Sequence, residues 1–178
     1  MAAFGANCPC FKGAAATAGV VLGKLVSANL TVNLASGELY ADDGLAENVS
    51  EFSSGSLAME TDDLEDDKAK EIYGCDVTDG LATYNKDDAA PIGKLAYYKT
   101  LMRNGVRKYK GYYYPKVKAA LGNDNAQTKG SSITFQTTTT TFTVYADDNG
   151  DWRQTKEFDT PSAADTWVKT QCSVSTGG

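Results

Sequence analysis

Leu95-Ala96-Tyr97-Tyr98-Lys99-Thr100-Leu101-Met102-Arg103, then Asn104-Gly105, then Val106-Arg107-Lys108-Tyr109-Lys110-Gly111-Tyr112-Tyr113-Tyr114-Pro115 is the stretch on which the fold turns. Two runs of strand-forming residues flank an Asn-Gly pair, and that pair supplies the positive φ angles a two-residue type I′ turn needs. Residues 94–118 therefore read as a long β-hairpin. Upstream, Leu25, Ser27, Asn29, Thr31 and Asn33 alternate with Val26, Ala28, Leu30, Val32 and Leu34, the pattern of a half-buried strand with one apolar face. Ser36-Gly37 predicts a turn into a second strand, Glu38–Asp42, and Asp43–Ser56 reads as a long irregular connection. Alternation resumes over Ser54–Thr61, through Leu57 and Met59.

A helix is expected from Asp63 to Tyr73. Asp62 or Asp63 can cap it, acidic residues crowd its first turns, Leu64, Ala69, Ile72 and Tyr73 form a partial stripe, and Gly74 stops it. Residues 76–93 read as a loop around Asp79-Gly80 and Pro91. A second hairpin is expected to join Ile133–Ala146 to Asp151–Phe158 through Asn149-Gly150. Thr160-Pro161 then opens a second helix, with Pro at its first position, carrying Ala164, Trp167 and Val168 to about Thr170. Residues 1–23 are small, rich in Ala and Gly and without clear period, and read as a flexible N-terminal arm. Residues 24–172 read as one domain and 173–178 as a flexible tail. The expected fold class is mainly β, a β-sandwich or barrel-like sheet with one or two short flanking α-helices.

Chemistry narrows the functions. The 178 residues contain no histidine, which removes the commonest neutral-pH acid and base, every Ser–His or Cys–His nucleophile pair and most catalytic zinc sites. No Gly-rich phosphate loop occurs, and an enzyme working through paired carboxylates is the least favoured reading. Cys8-Pro9-Cys10 is half of a metal motif, but Cys75 and Cys172 stand alone, so free thiols in a reducing compartment are expected, with no cofactor and no metal. Asp147-Asp148-Asn149-Gly150-Asp151 fails as a calcium loop, since its Gly comes too early and Phe158 stands where the chelating Glu belongs. The apolar run 13–23 between Lys12 and Lys24 is too short to span a bilayer and fits a signal peptide poorly.

The net charge of −6 argues against a protein that grips nucleic acid through its phosphates. The charge is unevenly placed: residues 38–88 hold 16 acidic and 3 basic residues, and residues 89–131 hold 9 basic and 1 acidic. Such segregation suits head-to-tail contact between identical copies, or else opposite solvated faces of one domain. Tyr97, Tyr98, Tyr109, Tyr112, Tyr113 and Tyr114 interleave with lysines, a pattern that serves packing or a subunit interface more often than single-stranded nucleic acid.

Several segments in order resemble the major tail protein (tail tube protein) of long non-contractile-tailed bacteriophages. They are Gly23-Lys24-Leu25-Val26-Ser27-Ala28, Glu38-Leu39-Tyr40-Ala41-Asp42-Asp43-Gly44-Leu45-Ala46-Glu47, Phe52-Ser53-Ser54-Gly55-Ser56-Leu57 and the Asp63-Leu64…Tyr73-Gly74 helix. Tyr112-Tyr113-Tyr114-Pro115-Lys116-Val117-Lys118, Gln127-Thr128-Lys129-Gly130-Ser131-Ser132-Ile133-Thr134-Phe135-Gln136-Thr137 and the Thr160-Pro161…Trp167 ending complete the set. The resemblance covers roughly residues 23–170 and implies a tail-tube β-sandwich that assembles as stacked hexameric rings. The implied partners are further copies of the chain, a tape-measure protein, tail terminator and distal tail proteins. DNA would pass down the lumen with weak affinity. The implied setting is the virion after synthesis in the host bacterial cytoplasm, with no membrane partner and no catalytic residues. Leu45, Val49 and Phe52, apolar residues within the long connection, are the expected inter-subunit contacts. The competing reading is a β-sandwich binding module, carbohydrate-binding or adhesin-like, that uses the tyrosine-rich strands as its platform.

Overall fold

The computed structural model describes residues 2–41, 44–121 and 137–175. Along them run β1 (Ala2–Gly13), β2 (Val20–Val21), β3 (Leu25–Ala41), β4 (Gly44–Thr61), α1 (Asp66–Tyr73), β5 (Asp76–Thr78) and β6 (Leu81–Thr83). The second half holds β7 (Ile92–Arg103), β8 (Val106–Ala120), β9 (Thr138–Val144), β10 (Gln154–Phe158) and α2 (Pro161–Gln171). The fold is mainly β with two short helices, as the sequence predicts. One antiparallel sheet runs in the order β2-β1-β7-β8-β9-β4-β3, with β10 also on β8, and β5-β6 forms a separate small hairpin.

Asn104 and Gly105 take φ of 51° and 76° and close the β7–β8 hairpin where the sequence puts it. Successive residues of these strands face opposite sides. Leu95, Tyr97, Tyr114 and Val117 enter the main core with Phe11, Leu57, Met59, Ile72, Phe142 and Val144. Ala96 and Tyr113 face the other way and meet Val168 and Cys172 at the α2 end of the chain. The sheet curls far enough for β3 to lie against β1 without being hydrogen-bonded to it. Lys99 Nζ donates to the Ala28 carbonyl across this interior at 3.4 Å.

Several expectations change. Residues 2–13 are a strand rather than an arm: β1 lies between β2 and β7, and Cys10 and Phe11 are fully buried on opposite faces. Its first half, with Ala3, Phe4, Gly5 and Asn7, is exposed and its second half, with Pro9, Cys10, Phe11 and Gly13, is buried, so no alternation of burial runs along it. A Cβ on Gly19, just beyond it, would sit 2.1 Å from the Cys172 carbonyl. Of the expected 173–178 tail, residues 176–178 lie outside the described part. Ser173 and Val174 still donate backbone hydrogen bonds to Thr170 and Lys169.

The chain does not turn at Ser36-Gly37. Gly37 pairs with Val49, and β3 and β4 continue as one hairpin until Ala41 pairs with Gly44. The expected irregular stretch Asp43–Ser56 is accordingly strand from Gly44 onward. The second predicted hairpin is absent as such. β9 pairs with β4 and with 117–120 of β8, whereas β10 pairs with 109–113 of β8, so β9 and β10 lie end to end along one neighbour. Asn149-Gly150 sits in the excursion between them, where the Asp147 carboxylate accepts from Asn149 N and Asp151 N, both at 2.9 Å. The Ile133–Gln136 part of that prediction lies outside the described residues. Finally, the loop 76–93 contains the β5–β6 hairpin, turned by Asp79-Gly80 with both φ positive.

Both helices start and stop near their signals. Thr160 Oγ1 accepts from Ala163 N at 3.3 Å and Pro161 opens α2. Gly74, at φ 74°, closes α1. Asp62 and Asp63 precede α1 without capping it. Asp62 instead accepts from Lys24 N at 2.7 Å, and Asp63 from Leu64 N at 2.7 Å.

Candidate assembly surface

β9 stops pairing with β4 at Gly55, opposite Val144. Beyond that point, over residues 31–54, β3 and β4 pair only with each other among the described residues. Eleven residues of β3 from Thr31 to Ala41 extend about 35 Å at strand rise. Residues 31–38 and 48–51 are all exposed, on both faces of the ribbon. The apolar face of β3 shows the transition. Ala28 is 8% exposed, Val32 38% and Leu34 60%, while Val49 across the ribbon is 51% exposed. Val26 is turned out as well, because a register shift between Leu25 and Ser27 lets both Leu25 and Ala28 face the core.

Where the ribbon joins the body, Phe52 stacks on Trp152 at 4.5 Å with the rings 6° from parallel. The Arg153 guanidinium lies 4.6 Å from the Trp152 ring centroid. Both aromatic rings pack against the main core. Of the three predicted contact residues, Phe52 is thus engaged with its own domain and anchors the ribbon. Val49 is free on its surface. Leu45 is carried in the ribbon by backbone pairing with Tyr40, its side chain lying outside the described part. The sequence reading missed Val32 and Leu34, since alternation alone assigns them to a buried face.

Residues 31–54 contain five acidic residues, Glu38, Asp42, Asp43, Glu47 and Glu51, and no Lys or Arg. Residues 99–110, around the β7–β8 turn, contain Lys99, Arg103, Arg107, Lys108 and Lys110 and no acidic residue. Arg103 pairs with Glu157 at 3.0 Å and Lys108 with Asp159. Arg107 lies over the Phe4 ring and Lys110 over Tyr112. Tyr97 and Tyr112 stack at 5.2 Å, and Lys99 Nζ lies 5.6 and 5.4 Å from their centroids. Burial first, and then the Arg153 charge, hold its ammonium below the usual lysine range.

The tyrosines form no open platform. Tyr97, Tyr113 and Tyr114 are buried, Tyr98, Tyr109 and Tyr112 half-buried. The Tyr97 and Tyr114 hydroxyls meet at 3.4 Å, and burial pushes both phenols above their ordinary range. No group of three or more His, Cys, Asp or Glu side chains among the described residues is arranged to hold a metal ion. No helix among them is long and apolar enough to cross a membrane. No protein-family model matches the chain, and no curated protein matches it.

Proposed function

We propose that this chain is a structural subunit that polymerises with copies of itself, as stacked hexameric rings forming the hollow tail tube of a bacteriophage through which DNA is delivered. The observation that carries the self-assembly is the β3–β4 ribbon. A two-stranded ribbon exposed on both faces is marginal in water on its own. This one displays Val32, Leu34 and Val49 instead of covering them. Docked on a neighbour, each of these side chains gains up to roughly 1.5–3 kcal/mol. Repetition around a ring multiplies such terms without any single strong contact. The charge contrast between the ribbon and the β7–β8 turn favours a second copy as the acceptor, because like-charged surfaces are avoided and opposite ones brought together. The hexameric ring, the stacking and the phage tail come from the sequence resemblance, as do the tape-measure, terminator and distal tail partners. The function is non-enzymatic and rests on shape.

Negative-stain microscopy of the concentrated protein tests this reading, with rings or tubes as the expected result. Replacing Gly37–Val49 by a tight Asn-Gly turn, which keeps Ser36 opposite Ser50, should leave a folded monomer that no longer assembles. Strict monomers of the intact chain at high concentration, by light scattering and microscopy, overturn the proposal. So do normal tubes from the shortened chain. The binding-module reading loses support from the inward-facing tyrosines.

A further inference from the structure

β1 carries Cys8-Pro9-Cys10 through a break in its register. Asn7 pairs with Tyr98 and Cys10 with Ala96, so Cys8 and Pro9 together stand opposite Tyr97. That is the two-against-one arrangement of a β-bulge, which bends a strand and re-aims its side chains. Cys8 takes φ 55°, a left-handed conformation that a side-chain-bearing residue adopts only where the surroundings impose it. In a regular strand, side chains two residues apart stand about 6.7 Å from each other. Here the two sulfurs are 3.5 Å apart. The surroundings hold the bulge in place. Pro9, which has no N–H to lose, accepts from Leu22 N at 2.8 Å, and Cys172 Sγ donates to the Cys10 carbonyl at 3.3 Å. Cys10 is fully buried and Cys8 half-buried, so only Cys8 meets a solute.

We propose that Cys8 and Cys10 are a redox-active dithiol that closes reversibly to an intrastrand disulfide on meeting a small disulfide oxidant of the glutathione type. The Cys8 thiolate attacks one sulfur of the oxidant, forming a mixed disulfide and releasing one thiolate. The Cys10 thiolate then attacks Cys8 Sγ, breaking the mixed bond and releasing the second. Two electrons pass from the protein to the oxidant, and the two thiol protons end on the two released thiols. The Cys10 thiol, burial and the Asp165 carboxylate all hold Cys8 protonated, which keeps the resting pair reduced. Asp165 is itself tied to Lys169 at 2.7 Å. Its removal leaves Lys169 as the charge nearest the pair on α2.

Lys12 is the first Lys or Arg of the chain, so trypsin releases residues 1–12 as one peptide holding both thiols and no other cysteine. The folded protein is treated with glutathione disulfide, unfolded in an alkylating reagent, digested and weighed. The expected 1–12 peptide is lighter by two hydrogens and unalkylated, Cys75 and Cys172 are alkylated, and dithiothreitol restores two alkylation sites. Cys10→Ser should trap one glutathione on Cys8, Cys8→Ser should leave Cys10 unmodified, and Asp165→Asn should close the disulfide faster. Circular dichroism of each variant checks its fold. A glutathione adduct that persists on wild-type Cys8 overturns the proposal. A peptide 1–12 joined to the Cys172 peptide, or two unmodified thiols under conditions that oxidise dithiothreitol, overturns it equally.

Discussion

Val49 and Phe52 lie three residues apart on β4 and do opposite things. Phe52 is stacked on Trp152 and packed on the core, so Phe52→Ala removes a half-buried ring and should cost roughly 1–3 kcal/mol, less than a fully buried Phe. A lower urea midpoint with altered Trp fluorescence is the measurement. Val49→Ser should leave that midpoint within about 0.5 kcal/mol, as exposed substitutions do, and should instead weaken association. Asp62 makes a prediction in acid. Its carboxylate is held below the ordinary range by the Lys24 N–H first, and by the Asp63 N–H as well. A folded value below the unfolded one means that the stabilisation is complete above about pH 4. It is lost as pH falls through the folded value. Asp62→Ala should therefore be less stable than wild type at neutral pH and converge with it in strong acid, as followed by thermal melts across that range.

At the scale of elements, legibility followed how local the determinant is. The Asn104-Gly105 turn and the Thr160-Pro161 helix start are set by the backbone needs of two adjacent residues, and both appear where the sequence puts them. β1 was illegible because an exposed first half and a buried second half leave no alternation along the strand, and its small residues carry no hydrophobic period. The ribbon was illegible for the converse reason. Its apolar positions have no core to face, so Ser36-Gly37 looks like a sufficient turn until pairing with Val49 and Ser50 is seen. β9 and β10 show a third case, since nothing local in Asn149-Gly150 tells a hairpin from a detour within one line of pairing. Deleting residues 2–13 should accordingly abolish the cooperative thermal transition instead of merely preventing assembly. Gly111→Ala tests the seat of α2, because a Cβ there would lie 2.5 Å from the Trp167 ring. Overpacking of this kind costs about 1–3 kcal/mol, read as a lower melting temperature with the β7–β8 hairpin retained.

For the whole molecule, the segregated charge predicts that the proposed assembly depends on salt. The screening length falls from about 8 Å at 0.15 M to about 3 Å at 1 M salt. Light scattering should therefore show association displaced to higher protein concentration in 1 M NaCl, with Arg107→Glu producing a similar displacement at low salt. The net charge of −6 bears on nucleic acid instead. It disfavours retention of duplex DNA, and a titration at physiological salt should find no submicromolar binding. The candidate surface was only partly legible: the sequence exposed the charge contrast and Val49, but the burial of Phe52 depends on Trp152, a hundred residues further along the chain.

The place of β1 between β2 and β7 also sets a timetable. Cys10 pairs with Ala96, 86 residues downstream, so a ribosome working at about 5–20 residues per second leaves β1 without its central partner for roughly 4–17 s. An unpaired strand that waits is an invitation to the wrong neighbour, and chains emerging side by side on one message offer many. The sequence Ala-Ala-Phe-Gly-Ala-Asn-Cys-Pro-Cys-Phe-Lys-Gly answers that hazard with two glycines, a proline and few bulky side chains. These are the features that keep a segment from stacking with its own kind. The composition that disguises β1 as a tether is what lets it wait and pair late.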